Sequence, residues 1–247
     1  MEVATDVGYP GPVADPNSLL ELSELSIFGG LSPVEIQPLV RGSSVARSKH
    51  HELLFRAGDP AAFIALVLRG AYKLYRHDVD GNEAIMHFAS PGDTIGALVM
   101  LHPDGVFPVN CASIGISSVL KIPRETYVRE WAGNAALQAR ISRMLYQRMN
   151  HIQDEKARQR QHLDVKVSNL LLTLLDRYSK GSARVLPVPI TRQEIADSVG
   201  ATVESVIRLM SEWAAEGILR TEDHHIEVLG LDRLVDISKG NRAPEGG

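Results

Sequence analysis

Glu204 and Arg208 stand four residues apart in "TVESVIRLMS" (Thr202–Ser211), so on a helix they share one surface. Together they supply a carboxylate acceptor and a forked guanidinium donor. Against the major groove of a duplex, the arginine matches O6 and N7 of guanine and the glutamate accepts from the N4 amine of cytosine. Such a contact gives about 1–3 kcal/mol of base discrimination. Val203 and Ile207, on the same side, suit the thymine methyl group. The competing reading is an exposed ion pair, which stabilises a helix by only a few tenths of a kcal/mol. Spacing by itself does not separate the two.

Such chemistry needs a helix held rigidly by its other face. Val206, Leu209, Met210 and Trp213 repeat at helical spacing and form an inward stripe. Upstream, "ITRQEIADSVG" (Ile190–Gly200) opens with Thr191 and Glu194 at capping-box spacing and continues through Ile195, Ala196 and Val199. Gly200 then permits a tight turn, and Thr202 can cap the second helix. Ahead of this pair, "VKVSNLLLTLLDRYSKG" reads as an apolar helix closed by Gly181, and "ARVLPVPI" as a short extended piece with two prolines. Beyond it, Ile218–Arg220 and Ile226–Val228 read as two short strands around a polar turn. Two helices followed by a hairpin make a winged helix-turn-helix, placed at residues 164–238.

The first half is patterned differently. From Ser18 to Val40 two short helices flank Gly29-Gly30, the second started by Ser32-Pro33. From Ser44 to Pro123 come short apolar runs, "ELLF", "FIALVL", "AYKLYRH" and "EAIMHF". Ala57-Gly58-Asp59, Arg69-Gly70, Asp80-Gly81 and Pro91-Gly92-Asp93 divide the region as turns. Short strands between turn residues predict an antiparallel barrel or roll within residues 18–133.

Residues 134–163 read as one long helix, because "AALQARISRMLYQRMNHIQDEKARQRQHL" (Ala135–Leu163) contains no Pro or Gly. It would extend roughly 43 Å. Ile141, Leu145, Met149 and Ile152 form an apolar stripe that a twin helix from a second subunit would cover. The alternative is a helix lying across its own barrel. Arg158–Arg160 read as a solvated face, and residues 1–17 and 239–247 as flexible tails. The fold class is α+β: a roll, a long helix and a winged helix-turn-helix.

Composition narrows the function. The net charge is −4, and residues 164–238 hold 8 Lys and Arg against 12 Asp and Glu, so contact with nucleic acid must rest on a local arrangement of charge. Cys111 is the single cysteine, which excludes an intramolecular disulfide and a four-cysteine iron–sulfur cluster. No apolar run approaches the ~18 residues of a membrane span, and the N-terminal stretch lacks the pattern of a signal peptide. No membrane role is expected, and a cytoplasmic location is. His50-His51 and His224-His225 would point to opposite faces of a strand, so no metal is assigned.

From about Leu19 to Ile237 the chain resembles the CRP/FNR superfamily of bacterial transcription regulators. "FRAGDPA", "LRGAYKLYRHDVDGNEAIMHF", "SPGDTIGALVM", the long helix and "ITRQEIADSVG" carry the resemblance. It implies a cyclic-nucleotide-binding-like roll and a homodimer, with double-stranded DNA and RNA polymerase as partners of an activator. It further implies base readout by Glu204 and Arg208 and phosphate contacts by Thr191, Arg192 and Gln193; Val203 and Ile207 are expected beside them at the bases, and Thr202 and Ser205 at the phosphates. "TVESVIR" is more similar to the FNR-like branch than to the cyclic-AMP receptor branch, which implies a palindrome with a TTGA-like core in each half. The two recognition helices would then lie about 34 Å apart.

The signal is less defined. Ala97 falls where cyclic-nucleotide-binding relatives place a ribose-binding glutamate, and Phe107-Pro108 where they place an Arg-Ser pair for the phosphate. No cyclic AMP or cyclic GMP binding is expected, since nothing offsets desolvation of the ligand. The apolar stretch "ALVMLHPDGVFPV" is similar to a haem-dependent, nitric-oxide-responsive branch. Haem is the alternative to no cofactor at all, with His102, His87, Met100 and Cys111 as candidate axial ligands. Cys111 could also serve as a redox switch, against the commoner reading as inert packing. A cupin-like enzyme would need a cluster of His and carboxylate ligands, whereas His77 and His87 stand alone, so no catalytic residue is assigned. A third class is a helical pair that docks a protein rather than DNA.

Overall fold

The computed structural model describes residues 16–79, 81–102, 104–157, 162–178, 184–186, 188–222 and 225–240. Asp80, Arg158–Arg160, Gly181, Pro187, His224 and most of both expected tails lie outside the described residues.

Two long antiparallel strands, β3 (Phe63–His77) and β6 (Asn110–Pro123), form the spine of the N-terminal half. β1 (Ser44–Ser48) and β2 (Leu53–Phe55) pair with opposite ends of β6. β4 (Glu83–Ala89) and β5 (Thr94–Ile95) pair with opposite ends of β3. The expected all-antiparallel roll is therefore present. One boundary differs: "FIALVL" and "AYKLYRH" are a single strand, with no turn at Arg69-Gly70. The register against β6 slips there instead. Gly70 absorbs the slip at φ +70°, where a Cβ would overlap the Ser117 hydroxyl. Ser117 Oγ accepts from the Ala71 N–H (3.1 Å) and donates to the Ala71 carbonyl (3.0 Å), so the bulge leaves neither group without a bond. The β3–β4 hairpin closes through the Asp78 N–H to the Asn82 carbonyl (2.9 Å), with Gly81 at φ +85°.

Helices seal this roll. α1 (Pro16–Ser23) takes its first two residues from the expected tail, and a 3-10 turn over Ser26–Phe28 leads to α2 (Pro33–Leu39), whose start carries a Ser32–Glu35 capping box. After β6, α3 (Arg124–Thr126) runs through a π turn at Tyr127–Trp131 to α4 (Ala135–Ala157). Trp131 donates to the Leu39 carbonyl (2.9 Å), and the Arg140 guanidinium spans the Ile27 and Gly29 carbonyls at 2.7 and 2.6 Å. α4 is thereby pinned to the N-terminal helices.

The stripe expected along the long helix divides. Ile141 is buried in the chain's own core and Leu145 packs on that core, so here the helix does lie across its own roll. Burial of one isoleucine stabilises by about 1.5–3 kcal/mol, which a second subunit can no longer supply. Met149 is 59 % exposed, and the Ile152 side chain lies outside the described set. Leu163, expected as the last residue of the long helix, instead opens α5 (Leu163–Tyr178).

The C-terminal half follows as α6 (Arg192–Val199), α7 (Val203–Ala215), β7 (Leu219–Glu222), β8 (His225–Val228) and α8 (Leu231–Ser238). Two features exceed the sequence reading. α8 packs against α5, and Val185 bridges Glu227, extending the β7–β8 ladder on its β8 side. The core gathers Leu171, Leu174, Ile195, Val206, Met210 and Trp213, and it runs on into Ala71, Phe88 and Ile114 of the roll. β4 packs against α6, so roll and winged half share an apolar interface.

Candidate nucleic-acid interface

The helix pair is set by its caps. Thr191 Oγ1 accepts from the Glu194 N–H (3.1 Å), while Glu194 Oε2 accepts from the Thr191 N–H (2.9 Å), completing the expected capping box. α6 ends at Gly200 in the left-handed conformation (φ +65°, ψ +50°), as a C-terminal glycine should. Thr202 then accepts from the Ser205 N–H (3.3 Å) and starts α7. Val206, Met210 and Trp213 are buried and Leu209 is half-buried, so the inward stripe holds α7 by one face.

The opposite face carries the chemistry. Glu204, Ile207, Arg208 and Ser211 are exposed, and Ile207 keeps 48 % of its surface in water. Among the described residues, neither the Glu204 nor the Arg208 side chain takes part in a hydrogen bond or ion pair. The ion pair that competed with base readout is not formed. Val203 differs from its neighbours, half-buried and leaning on the core of the winged half.

The expected phosphate contacts do not form one uniform surface. Thr202 and Ser205 sit at the start of α7, with Thr202 Oγ1 bonded to Ser205 Oγ (3.0 Å). Arg192 is half-buried and donates to Thr221 Oγ1 (2.8 Å), tying α6 to the wing strand; burial lowers its pKa from the ordinary arginine value. Gln193 is exposed and donates to Asp197 Oδ1 (2.7 Å), while burial raises the Asp197 carboxyl above its usual range. On the wing, Arg220 pairs with Glu227 at 2.6 Å.

One cluster was not singled out from the sequence. Glu194, taken there only as a cap, is 2 % exposed and meets the roll through its second oxygen. Oε1 lies 3.6 Å from Lys73 Nζ and 3.9 Å from His51 Nδ1. Lys73 is itself buried on β3 and also pairs with Glu83 at 2.5 Å. His50 and His51 occupy a turn rather than a strand, with rings 3.8 Å apart, so the expectation of opposite faces does not hold. His51 adopts φ +61°, and His50 Nδ1 accepts from the Gly115 N–H (2.9 Å). Among the described residues no three His, Cys, Asp or Glu side chains are grouped to hold a metal.

At the roll positions aligned with a ligand site, Ala97, Phe107 and Pro108 line a small apolar space. A cavity of about 90 Å³ remains among Phe55, Leu74, Thr94, Ala97 and Phe107. Sites for small organic ligands run about 300–1,000 Å³. Phe107 stacks on Phe55 (centroids 3.7 Å apart, planes within 8°), and a Cβ on Gly96 would press on its ring at 2.9 Å. None of the candidate haem ligands lines the cavity. His102 is exposed, His87 half-buried, and Met100 and Cys111 are sealed in packing, where burial pushes the Cys111 thiol well above its usual pKa.

Comparison with known proteins places these features in a lineage. Residues 46–132 match the cyclic nucleotide-binding domain, and residues 165–237 match the Crp-like helix-turn-helix domain. Over 213 residues, 85 % of this chain and 87 % of the other, it is 26 % identical to the transcriptional activatory protein AadR of Rhodopseudomonas palustris. It is 25 % identical over 219 residues to the CRP-like cAMP-activated global transcriptional regulator of Mycobacterium tuberculosis, covering 86 % of this chain and 96 % of that one. The solved structure of FixK2 from Bradyrhizobium japonicum matches 79 % of this chain and 96 % of its own, with TM-score 0.69 at 22 % identity. No helix among the described residues is long and apolar enough to cross a membrane.

Proposed function

This chain belongs to the CRP/FNR superfamily of transcription regulators and carries its DNA-binding helix-turn-helix; from that premise we propose that it acts as a homodimer on a palindrome with a TTGA-like core in each half. Glu204 and Arg208 read base edges in this picture, Ile207 touches a thymine methyl, and Val203 contributes through its exposed part. The observation that carries the reading is a carboxylate and a guanidinium one turn apart, exposed and bonded to nothing, on a helix fixed by cap and core. Thr191, Arg192, Gln193, Thr202 and Ser205 take phosphates. Relatives described as activators support activation, and contact with RNA polymerase is part of the same proposal.

Dimerisation in this picture uses a face of α4 that keeps Met149 from the stripe first expected but leaves out Ile141 and Leu145. Ala135, Ala139, Ser142, Tyr146 and Met149 recur at intervals of four and three, all exposed, on the side away from the roll. That is the spacing of a coiled-coil seam. Tyr146 (66 % exposed) and Met149 would pair with their counterparts, while Ile141 and Leu145 hold the helix to its own roll. Sedimentation of wild type against Tyr146→Glu checks this: a dimer is expected only for wild type, and an unchanged dimer would contradict the seam.

The filled roll cavity supports a regulator that binds neither cyclic AMP nor cyclic GMP, in contrast to the mycobacterial relative described as cAMP-activated. Haem fits no better, because no candidate axial ligand lines the cavity. Fluorescence anisotropy with a labelled TTGA palindrome tests the central reading. Arg208→Ala and Glu204→Ala are each expected to weaken binding about tenfold to a hundredfold. Binding that is unchanged in both variants contradicts it.

A further inference from the structure

The start of α6 is offered to two partners at once. Thr191 and Gln193, assigned above to DNA phosphates, line a cleft of about 460 Å³ whose other wall is His51, Lys73, Asn82 and Glu83 of the roll. A duplex cannot enter a space of that size, and the Glu83 carboxylate in its lining repels a phosphate. The exposed face of α7 remains free. In this arrangement the base-reading residues are available while part of the backbone-binding surface is covered.

What holds the cleft closed is a buried charge cluster. Lys73 is 3 % exposed, lies between Glu83 Oε2 (2.5 Å) and Glu194 Oε1 (3.6 Å), and sits 5.3 Å from the Tyr75 ring centre. Glu194 Oε1 has no hydrogen bond of its own, so the charge on Lys73 is its main compensation inside the interface. His51, 3.9 Å away, is the other facing base, and Asp197 lines the same cleft. Apolar contact backs the cluster: Ile85 on β4 packs against the core that unites the two halves, and a Cβ on Gly115 would meet the Pro189 ring at 2.9 Å.

We propose that the roll inhibits DNA binding by this chain through an ionic latch, in which Lys73 of β3 holds the Glu194 carboxylate and keeps the phosphate-binding start of α6 against Glu83. The inference rests on the DNA reading above for its consequence, but the latch itself is a contact between the two halves. Breaking one partner of a buried pair leaves an uncompensated charge, whereas opening the cleft returns that charge to water. Lys73→Met therefore shifts the full-length protein toward the open form. Ile85→Glu, which adds a further carboxylate beside Glu83, Glu194 and Asp197 from a half-buried strand position, does the same without touching Lys73. Glu194→Gln placed in the Lys73→Met chain removes the stranded charge and restores closure.

The test measures two quantities on each full-length variant: the radius of gyration by small-angle X-ray scattering, and affinity at low salt for a TTGA palindrome and for a 30-base-pair duplex of unrelated sequence. Phosphate contacts carry no sequence information, so opening should raise affinity for both duplexes alike. The expected result is a larger radius and about tenfold tighter binding to each for Lys73→Met and Ile85→Glu, reversed by adding Glu194→Gln to Lys73→Met. Unchanged radius in both single variants overturns the latch. A larger radius with no gain on either duplex overturns the inhibition. If both duplexes gain equally but wild type never prefers the palindrome, the latch stands and the base-readout proposal fails. If Lys73→Met does not fold, Ile85→Glu decides by the same criteria.

Discussion

The recognition helix and the roll cavity place their informative residues on opposite sides of the surface. On α7 the residues proposed to read bases, Glu204 and Arg208, are left in water, while Val206, Met210 and Trp213 are buried and hold the helix by its other face. In the roll the position aligned with a phosphate ligand pair, Phe107, has turned inward and closed the space by stacking on Phe55. A helix-turn-helix stays functional so long as its outer face keeps its chemistry. A ligand pocket loses function once packing becomes more favourable than binding. On the proposed reading, one chain keeps the outer face of its DNA-binding helix while the matching part of its roll is a packed core.

The largest effect expected from this contrast is on the roll. Phe107→Ala removes a fully packed ring and should cost about 3–5 kcal/mol in urea unfolding. The variant should gain no calorimetrically detectable affinity for cyclic AMP, because Ala97 and Pro108 still offer no partner for ribose or phosphate. Tight nucleotide binding by this variant would show that the site is only plugged. Next, Arg208→Ala should lose about 1–3 kcal/mol of preference for the palindrome over unrelated DNA while thermal stability stays within about 0.5 kcal/mol. A large fall in stability would place Arg208 with the structural residues. The smallest effect belongs to the cap: Thr202→Ala should destabilise by about 1 kcal/mol, read as a lower melting temperature. If it weakened DNA binding far beyond that loss, Thr202 would act on the phosphate rather than on the helix.

Local signals were the legible ones. The Thr191–Glu194 box, Gly200, Thr202 and the inward stripe of α7 are short-range patterns whose physics is complete within a dozen residues, and each takes the form its sequence implies. Gly70 was misread because a glycine at positive φ serves a turn and a bulge equally well, and only the partner strand decides. Ile141 and Leu145 of the α4 stripe were misassigned for a related reason. An apolar face asks for cover, but spacing does not say whether the cover is a twin helix or the chain's own roll. Lys73 was least visible. In "AYKLYRH" it alternates with Tyr72 and Leu74 like any solvent-facing strand residue, and only the docking of α6 on that outer face turns it into a buried cation.

The most direct test of the central claim is a protein-by-base double-mutant cycle on the TTGA half-site. Wild type, Arg208→Ala and Glu204→Ala would each be titrated against duplexes carrying every single base-pair change. The expected result is that each alanine variant becomes indifferent at one base pair, the guanine for Arg208, while keeping wild-type preference at the others. Variants that bind more weakly but rank the duplexes in the wild-type order, with undiminished preference at every position, would contradict base readout by these two side chains.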